Sequence, residues 1–364
     1  MSTDHYSLSD ILGPHQTNQE SLLLLQKNPK TYHTFKTFTE KHQKTLLAFF
    51  SGERSLDIQM DPFFKKIMDP ETHLDRLEML LSAILEEEIK ITEILPNEGI
   101  RLTEKSSFVV MDVVAVLKNG SYINVEMQKI GYQFPAQRTE CYLSDMTMRQ
   151  YNRLRSKRKD KFSYRDMKKT YLFIIMAESP SAFQKSHEYI HTRQTSYSSG
   201  IKLPETAHIT YITLDTFQES VQNIDSLKEA WLTFLSFDDA ERVVRLVNKY
   251  PQFLPMYQEI AEFRKSPEEV VGMFSEALYI MDKNAERLMV DDLQEKYAAE
   301  REKNKILRKE KKIASAKLKK TTVELENTTA ELENKTAELN ESKAALKDKD
   351  RQIAELKERL TAKA

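Results

Sequence analysis

The residues best suited to chemistry lie in VVMDVVAVLKNGSYINVEMQK, where Asp112 interrupts an apolar run and Glu126 and Gln128 alternate in the run that follows. An ionised carboxylate inside a buried strand is costly unless a partner offsets the lost hydration, and a metal ion is one such partner. Strand alternation puts Glu126 and Gln128 on one face. Whether Asp112 shares that face depends on the turn. A two-residue loop of Asn119 and Gly120 pairs Val113 with Glu126 and sends Asp112 to the other side. A three-residue loop, Lys118 to Gly120 with Gly120 left-handed, pairs Leu117 with Ser121 and sets Asp112 opposite Glu126, Cβ atoms roughly 5 Å apart. The second register also gathers Val113, Ala115, Ile123 and Val125 on one apolar face, and it is the one expected.

Two carboxylates so close repel unless a cation or a proton lies between them. Magnesium prefers oxygen ligands and commonly takes one or two carboxylates with water and phosphate; manganese suits the same donors. A cation held there would activate water and stabilise charge developing on a phosphodiester. The Gln128 amide can orient water or phosphate but brings no positive charge.

The elements that must position these residues can be read on either side. Residues 1 to 60 read as polar and helical, ending in Leu46, Leu47, Phe49 and Phe50; DPFFKKI follows, opened by Asp61-Pro62. In LDRLEMLLSAIL, Leu74, Leu77, Leu81, Ile84 and Leu85 recur at helical spacing. IKITEIL, SFVVMDVVAVL and SYINVEMQ are rich in β-branched residues and separated by turn signals at Pro96-Asn97 and Asn119-Gly120. A helix over about 136 to 155 precedes the buried strand TYLFIIM, and HITYITL is a further strand candidate. Helix, three-strand meander, helix, strand (αβββαβ) is the minimal order of a restriction-endonuclease-like PD-(D/E)XK core. The expected class is therefore α/β, with helical N- and C-terminal additions.

The expected divisions are an N-terminal helical extension over residues 1–60, the core over 61–220, a helical subdomain over 221–290, and a charged long helix over 291–364. Neither glycine nor proline follows Gly272. In the tail, Leu325, Leu332, Leu339, Leu346, Ile353 and Leu360 recur every seven residues, but their companion positions are mostly Thr, Ser, Lys or Asp. That is half a coiled-coil seam. A homo-oligomer through this helix and an isolated charged helix both stay open.

Several long stretches together resemble the PD-(D/E)XK nuclease family transposases, the recombination-promoting nucleases. They are DPFFKKI, DRLEMLLSAIL, LPNEGIRL, MDVVAVLKNGSYINVEMQKIGY, FPAQRTECYLSDMTMRQY, FSYRDMKKTYLFIIM, AWLTFLSFDD and GMFSEAL, spanning about residues 30 to 290. The resemblance implies a DNA endonuclease that uses a divalent metal, with Asp112 and Glu126 as ligands and Gln128 in the usual lysine position. It also implies a carboxylate from the first helix of the core. Glu78, central on that helix, is the choice and Glu71 the alternative. Arg138 and Tyr142 match a further R-x-x-x-Y pair; at i, i+4 they share a helix face, where Arg138 would contact phosphate with Tyr142 supporting it.

Lys and Arg total 55 against 56 Asp and Glu, so net charge does not speak for a nucleic-acid partner and local clusters must. From Arg149 to Lys169 there are ten cations, among them Arg149, Arg153, Arg155, Lys157, Arg158 and Lys159, against Asp160 and Asp166, with Tyr151, Phe162 and Tyr164 interleaved. The run links the second helix to the fourth strand and is expected beside the acidic site, where it would attract a duplex backbone without reading sequence. A second cluster, Arg301 to Lys320, could extend that footprint as a basic helix, but a solvated linker helix is the expected reading. The lone cysteine, Cys141, excludes a disulfide framework and a cysteine zinc site within the chain. No apolar stretch is long enough for a signal or a membrane span, so a cytoplasmic protein is expected. Two readings compete: a metal-dependent DNA endonuclease, and an inactive nuclease-fold protein that binds DNA or assembles through its C-terminal helix, favoured by Gln128 in place of lysine.

Overall fold

The structure is a computed structural model that describes residues 5–96, 112–130 and 136–361. The expected Pro96-Asn97 turn, most of LPNEGIRL and the strand residues before Asp112 fall outside that range. The chain divides into two compact units, Met1–Leu288 and Met289–Ala364.

The first unit opens with α1 (Leu8–Leu12), α2 (Asn18–Gln26), α3 (Pro29–Thr37) and α4 (Glu40–Ser51). Ser7, Thr17, Asn28 and Thr39 cap them, each accepting a hydrogen bond from a first-turn N–H that the helix cannot satisfy itself. DPFFKKI forms a helix, α5 (Asp61–Ile67), with Pro62 in its first turn, where a missing N–H costs nothing. The apolar periodicity of the next helix appears as α6 (Leu74–Leu85), which buries Leu77, Leu80 and Leu81.

Six strands form one mixed sheet: β1 (Ile91–Leu95), β2 (Val113–Leu117), β3 (Tyr122–Ile130), β4 (Thr170–Glu178), β5 (Ile190–Thr192) and β6 (Ala207–Thr213), ordered β1-β2-β3-β4-β6-β5. β1, β2 and β3 are an antiparallel meander, while β3, β4 and β6 run parallel. Parallel neighbours need a crossover, and α7 (Ala136–Arg158) supplies it between β3 and β4. Then come α8 (Leu214–Ser220), α9 (Leu227–Ser236), α10 (Ala240–Lys249), α11 (Leu254–Glu262) and α12 (Pro267–Thr361).

Alternation sorts the hairpin residues between two cores. Val113, Ala115, Ile123 and Val125 join the larger core, with Phe35 and Phe50 from the N-terminal helices, Phe63 and Phe64 from α5, and Trp231 and Phe274 from beyond the sheet. Val114, Leu172, Ile174 and Met176 face the other way and pack on Tyr142 and Met146 of α7. One core thus draws on residues before 60 and after 220 together. In the second unit, Leu325, Leu332, Leu339, Leu346 and Ile353 are each half or more exposed. Among the described residues, no helix is long and apolar enough to cross a membrane.

Candidate active site

The turn between β2 and β3 is three residues long. Gly120 sits at φ +83°, in the left-handed region open to glycine. The Leu117 N–H donates to the Ser121 carbonyl at 2.8 Å, and the Gly120 N–H to the Leu117 carbonyl at 2.8 Å. The register that follows pairs Val116 with Tyr122 and Val113 with Val125, so one step further Asp112 lies level with Glu126. Each carboxylate is held by the opposite strand: the Asp112 N–H donates to Glu126 Oε1 at 3.1 Å, and the Met127 N–H to Asp112 Oδ2 at 2.7 Å. Asn124 Nδ2 donates to the same Glu126 Oε1 at 2.8 Å. Glu126 is wholly buried, and its Oε2 has no hydrogen-bond partner among the described residues.

Burial dominates the electrostatics. It lifts the Asp112 carboxyl to about 6, with the Asp61 charge adding to the rise and Lys65 and the Met127 N–H opposing it. Glu126 goes well above the ordinary carboxylate range, first through burial and then through the Asp112 charge. The Tyr142 phenol is also raised, by burial and then by Glu126. Lys65 goes up despite its burial, because Asp112 and Asp61 both favour the ammonium form.

Asp112, Gln128 and Arg138 line one cavity of about 180 Å³ with Asp61, Lys65, Met127 and Lys129. Arg138 Nε donates to the buried Tyr142 hydroxyl at 2.8 Å, joining the R-x-x-x-Y pair. Two expectations are corrected. Glu78 is not at this site: its Oε1 accepts the Ile91 N–H at 2.8 Å and its Oε2 pairs with Lys90 at 2.9 Å. Ile91 is opposite Leu117, the far end of β2, roughly 16 Å along the strand from Asp112. The alternative, Glu71, is exposed in the turn before α6. The carboxylate that does approach comes from α5, where Asp61 and Asp112 share Lys65 at 2.9 and 3.2 Å. Its sequence signal was the i, i+4 pair Asp61 and Lys65 flanking two phenylalanines, which by itself is also the pattern of a surface helix.

The basic run is likewise displaced. The Lys169 carbonyl accepts the Tyr122 N–H at 2.9 Å, and Lys168 lies against Gly120, so the run's end meets the turn rather than the acidic pair. Along α7, Arg149 to Arg158 lie about 10 to 25 Å beyond Tyr142. Arg149 pairs with Asp145 at 2.6 Å, Arg153 with Glu93, and Arg158 with Asp166 at 2.8 Å. Arg155 lies over the Phe162 ring, and Lys157 and Lys159 are exposed.

No cluster of three His, Cys, Asp or Glu side chains that could hold a metal ion occurs among the described residues. Two carboxylates with water and phosphate suffice for magnesium, and the orphaned Glu126 Oε2 beside buried Asp112 is the hard oxygen donor such an ion requires. The site's oxygen chemistry therefore fits a divalent cation. A family model described as PD-(D/E)XK nuclease family transposase matches residues 58–288, which include α5, the hairpin and α7. The chain belongs to this family. No curated protein and no solved structure matches it. In the PD-(D/E)XK transposase fold seen here, the matched segment begins just before α5 and contains every strand of the sheet.

Proposed function

We propose that the chain is a divalent-metal-dependent DNA endonuclease that serves transposition or recombination. The observation that carries this reading is the buried Glu126 Oε2, unpartnered among the described residues, beside Asp112, which lines a cavity together with Gln128 and Arg138. Asp112 and Glu126 would hold magnesium or manganese. When bound, such an ion supplies Lewis acidity and a water of lowered pKa. The cross-strand hydrogen bonds from Asp112 and Met127 fix the two carboxylates, so little reorganisation is needed during reaction. Gln128 orients water or phosphate with its amide. Arg138, braced by the Tyr142 hydroxyl, binds a phosphate oxygen of the substrate. Arg155, Lys157 and Lys159, with Arg149, Arg153 and Arg158 behind them in ion pairs, extend the DNA footprint along α7 toward the turn end.

The test is nicking of supercoiled plasmid in Mg²⁺ or Mn²⁺ by the wild type, Asp112→Ala and Glu126→Ala. Both variants should lose about a thousandfold or more, the several kcal/mol that a bound cation contributes. Equal nicking by all three proteins refutes the assignment. A second reading, an inactive nuclease-fold DNA-binding protein, is favoured by one feature, the uncharged Gln128 in the lysine position. Duplex binding without nicking by the wild type would select it.

A further inference from the structure

The PD-(D/E)XK reading leaves the position of Gln128 without a cation, although a phosphodiester gathers negative charge as it is attacked. Among the described residues, three lysines or arginines border the cavity: Lys65, Lys129 and Arg138. Lys129, next to Gln128 in sequence, is directed to other partners, with its ammonium donating to Asp57 Oδ2 at 2.8 Å and Gln59 Oε1 at 2.7 Å. Lys65 is different. Its Nζ lies 3.2 Å from Asp112 Oδ1 and 2.9 Å from Asp61 Oδ2, and its side chain keeps 38% of its surface exposed.

We infer that Lys65 is the site's catalytic cation, supplying from helix α5 the charge that Gln128 lacks on β3. An ammonium has three donor hydrogens. The two carboxylates take two of them and set the direction of the third, which would meet a non-bridging oxygen of the scissile phosphate. The position is rigid, because the flanking Phe63, Phe64 and Ile67 are wholly buried in the main core. Asp61 acts as a positioning residue, pairing with Lys65 one helical turn away. A precisely held lysine at this point needs no neighbour in sequence to the E-x-Q pair; it needs only α5 packed against the end of β3.

This inference rests on the nuclease reading, and the experiment separates the two. The full chain is compared with Lys65→Met, Lys65→Arg and Lys65→Met/Gln128→Lys in two assays. The first is single-turnover plasmid nicking in Mn²⁺. The second is the salt dependence of binding to a phosphorothioate-blocked duplex in Ca²⁺, which needs no turnover. Lys65→Met should nick about a hundredfold more slowly and lower the log–log salt slope by about one, the signature of one lost phosphate contact. Lys65→Arg should keep the slope, and a lysine at 128 should recover at least about tenfold of the lost rate. Wild-type nicking with unchanged rate and slope in Lys65→Met overturns the inference and spares the nuclease reading. If the wild type binds but never nicks, the nuclease reading falls and the catalytic role of Lys65 falls with it. Absence of any duplex binding removes both. Should Met at position 65 impair folding, Lys65→Gln carries the same two readouts.

Discussion

At the open end of the β2–β3 hairpin, Asp112 and Glu126 are almost wholly withdrawn from water, whereas at the turn end Lys118, Lys90 and the last cations of the basic run remain in contact with it. The turn end is held by backbone geometry: a left-handed glycine and two short hydrogen bonds. The open end is held by side chains whose ionised forms its own burial opposes. Charge at the turn end is therefore thermodynamically cheap and charge at the open end is not. That cost falls on Glu126 Oε2, which has no hydrogen-bond partner among the described residues.

The largest expected effect lies at the open end. Asp112 rises to about 6 and Glu126 is pushed well above the ordinary carboxylate range, both chiefly by burial, so without metal the native state retains protons that the unfolded chain releases. Their contribution to stability is present below the ordinary carboxylate range and is lost as pH rises through about 6. Urea unfolding in EDTA should show stability falling on the order of 1 to 3 kcal/mol between pH 5 and pH 8. Glu126→Gln should flatten that fall and stabilise the metal-free protein by about 1 kcal/mol at pH 8, while abolishing nicking. A flat pH profile for the wild type would mean that the pair is better solvated than its burial implies.

The difference between the ends also explains what could be read from the residues alone. The register was legible because Asn119-Gly120 offers only a few turn geometries, and just one of them collects the apolar residues on a single face. Asp112 stood out because a charge in an apolar strand has few explanations. Lys65 did not, because its partner Asp112 lies far along the chain and the i, i+4 pair with Asp61 accounts for it locally. Glu78 misled because a central helix position says nothing about which strand end the helix faces; here it caps the first N–H of β1. The basic run misled for a related reason. Chain order places it between α7 and β4, but a parallel crossover returns to the opposite end of the sheet from the one it left.

A middle-sized effect is expected at the turn. A Cβ at position 120 would approach Lys168 Cγ at 3.3 Å, and φ is +83°. A β-branched side chain there is strained, so Gly120→Val should cost about 2 kcal/mol in urea unfolding. Gly120→Asn, which tolerates the left-handed region, should cost only a few tenths. Nicking per folded molecule should hold in both, since neither residue reaches the cavity. Loss of nicking in Gly120→Asn, with stability intact, would show that the register at the open end depends on finer turn geometry than the hydrogen bonds convey.

The smallest effect sharpens the contrast most directly, because it concerns the same residue type at the other end of the hairpin. Glu78 Oε1 accepts the Ile91 N–H, and a glutamine carbonyl can do the same; only the pair with Lys90 is given up. Lys90 is more than half exposed, so solvent screens most of that attraction. Glu78→Gln should therefore change stability by about 0.5 kcal/mol or less and leave the nicking rate within about twofold, an energy difference under 0.5 kcal/mol. The same Glu→Gln change at position 126 should abolish nicking. Were the two substitutions to cost similar activity, Glu78 would belong to the chemistry after all, and the separation between a chemical end and a structural end of the hairpin would fail.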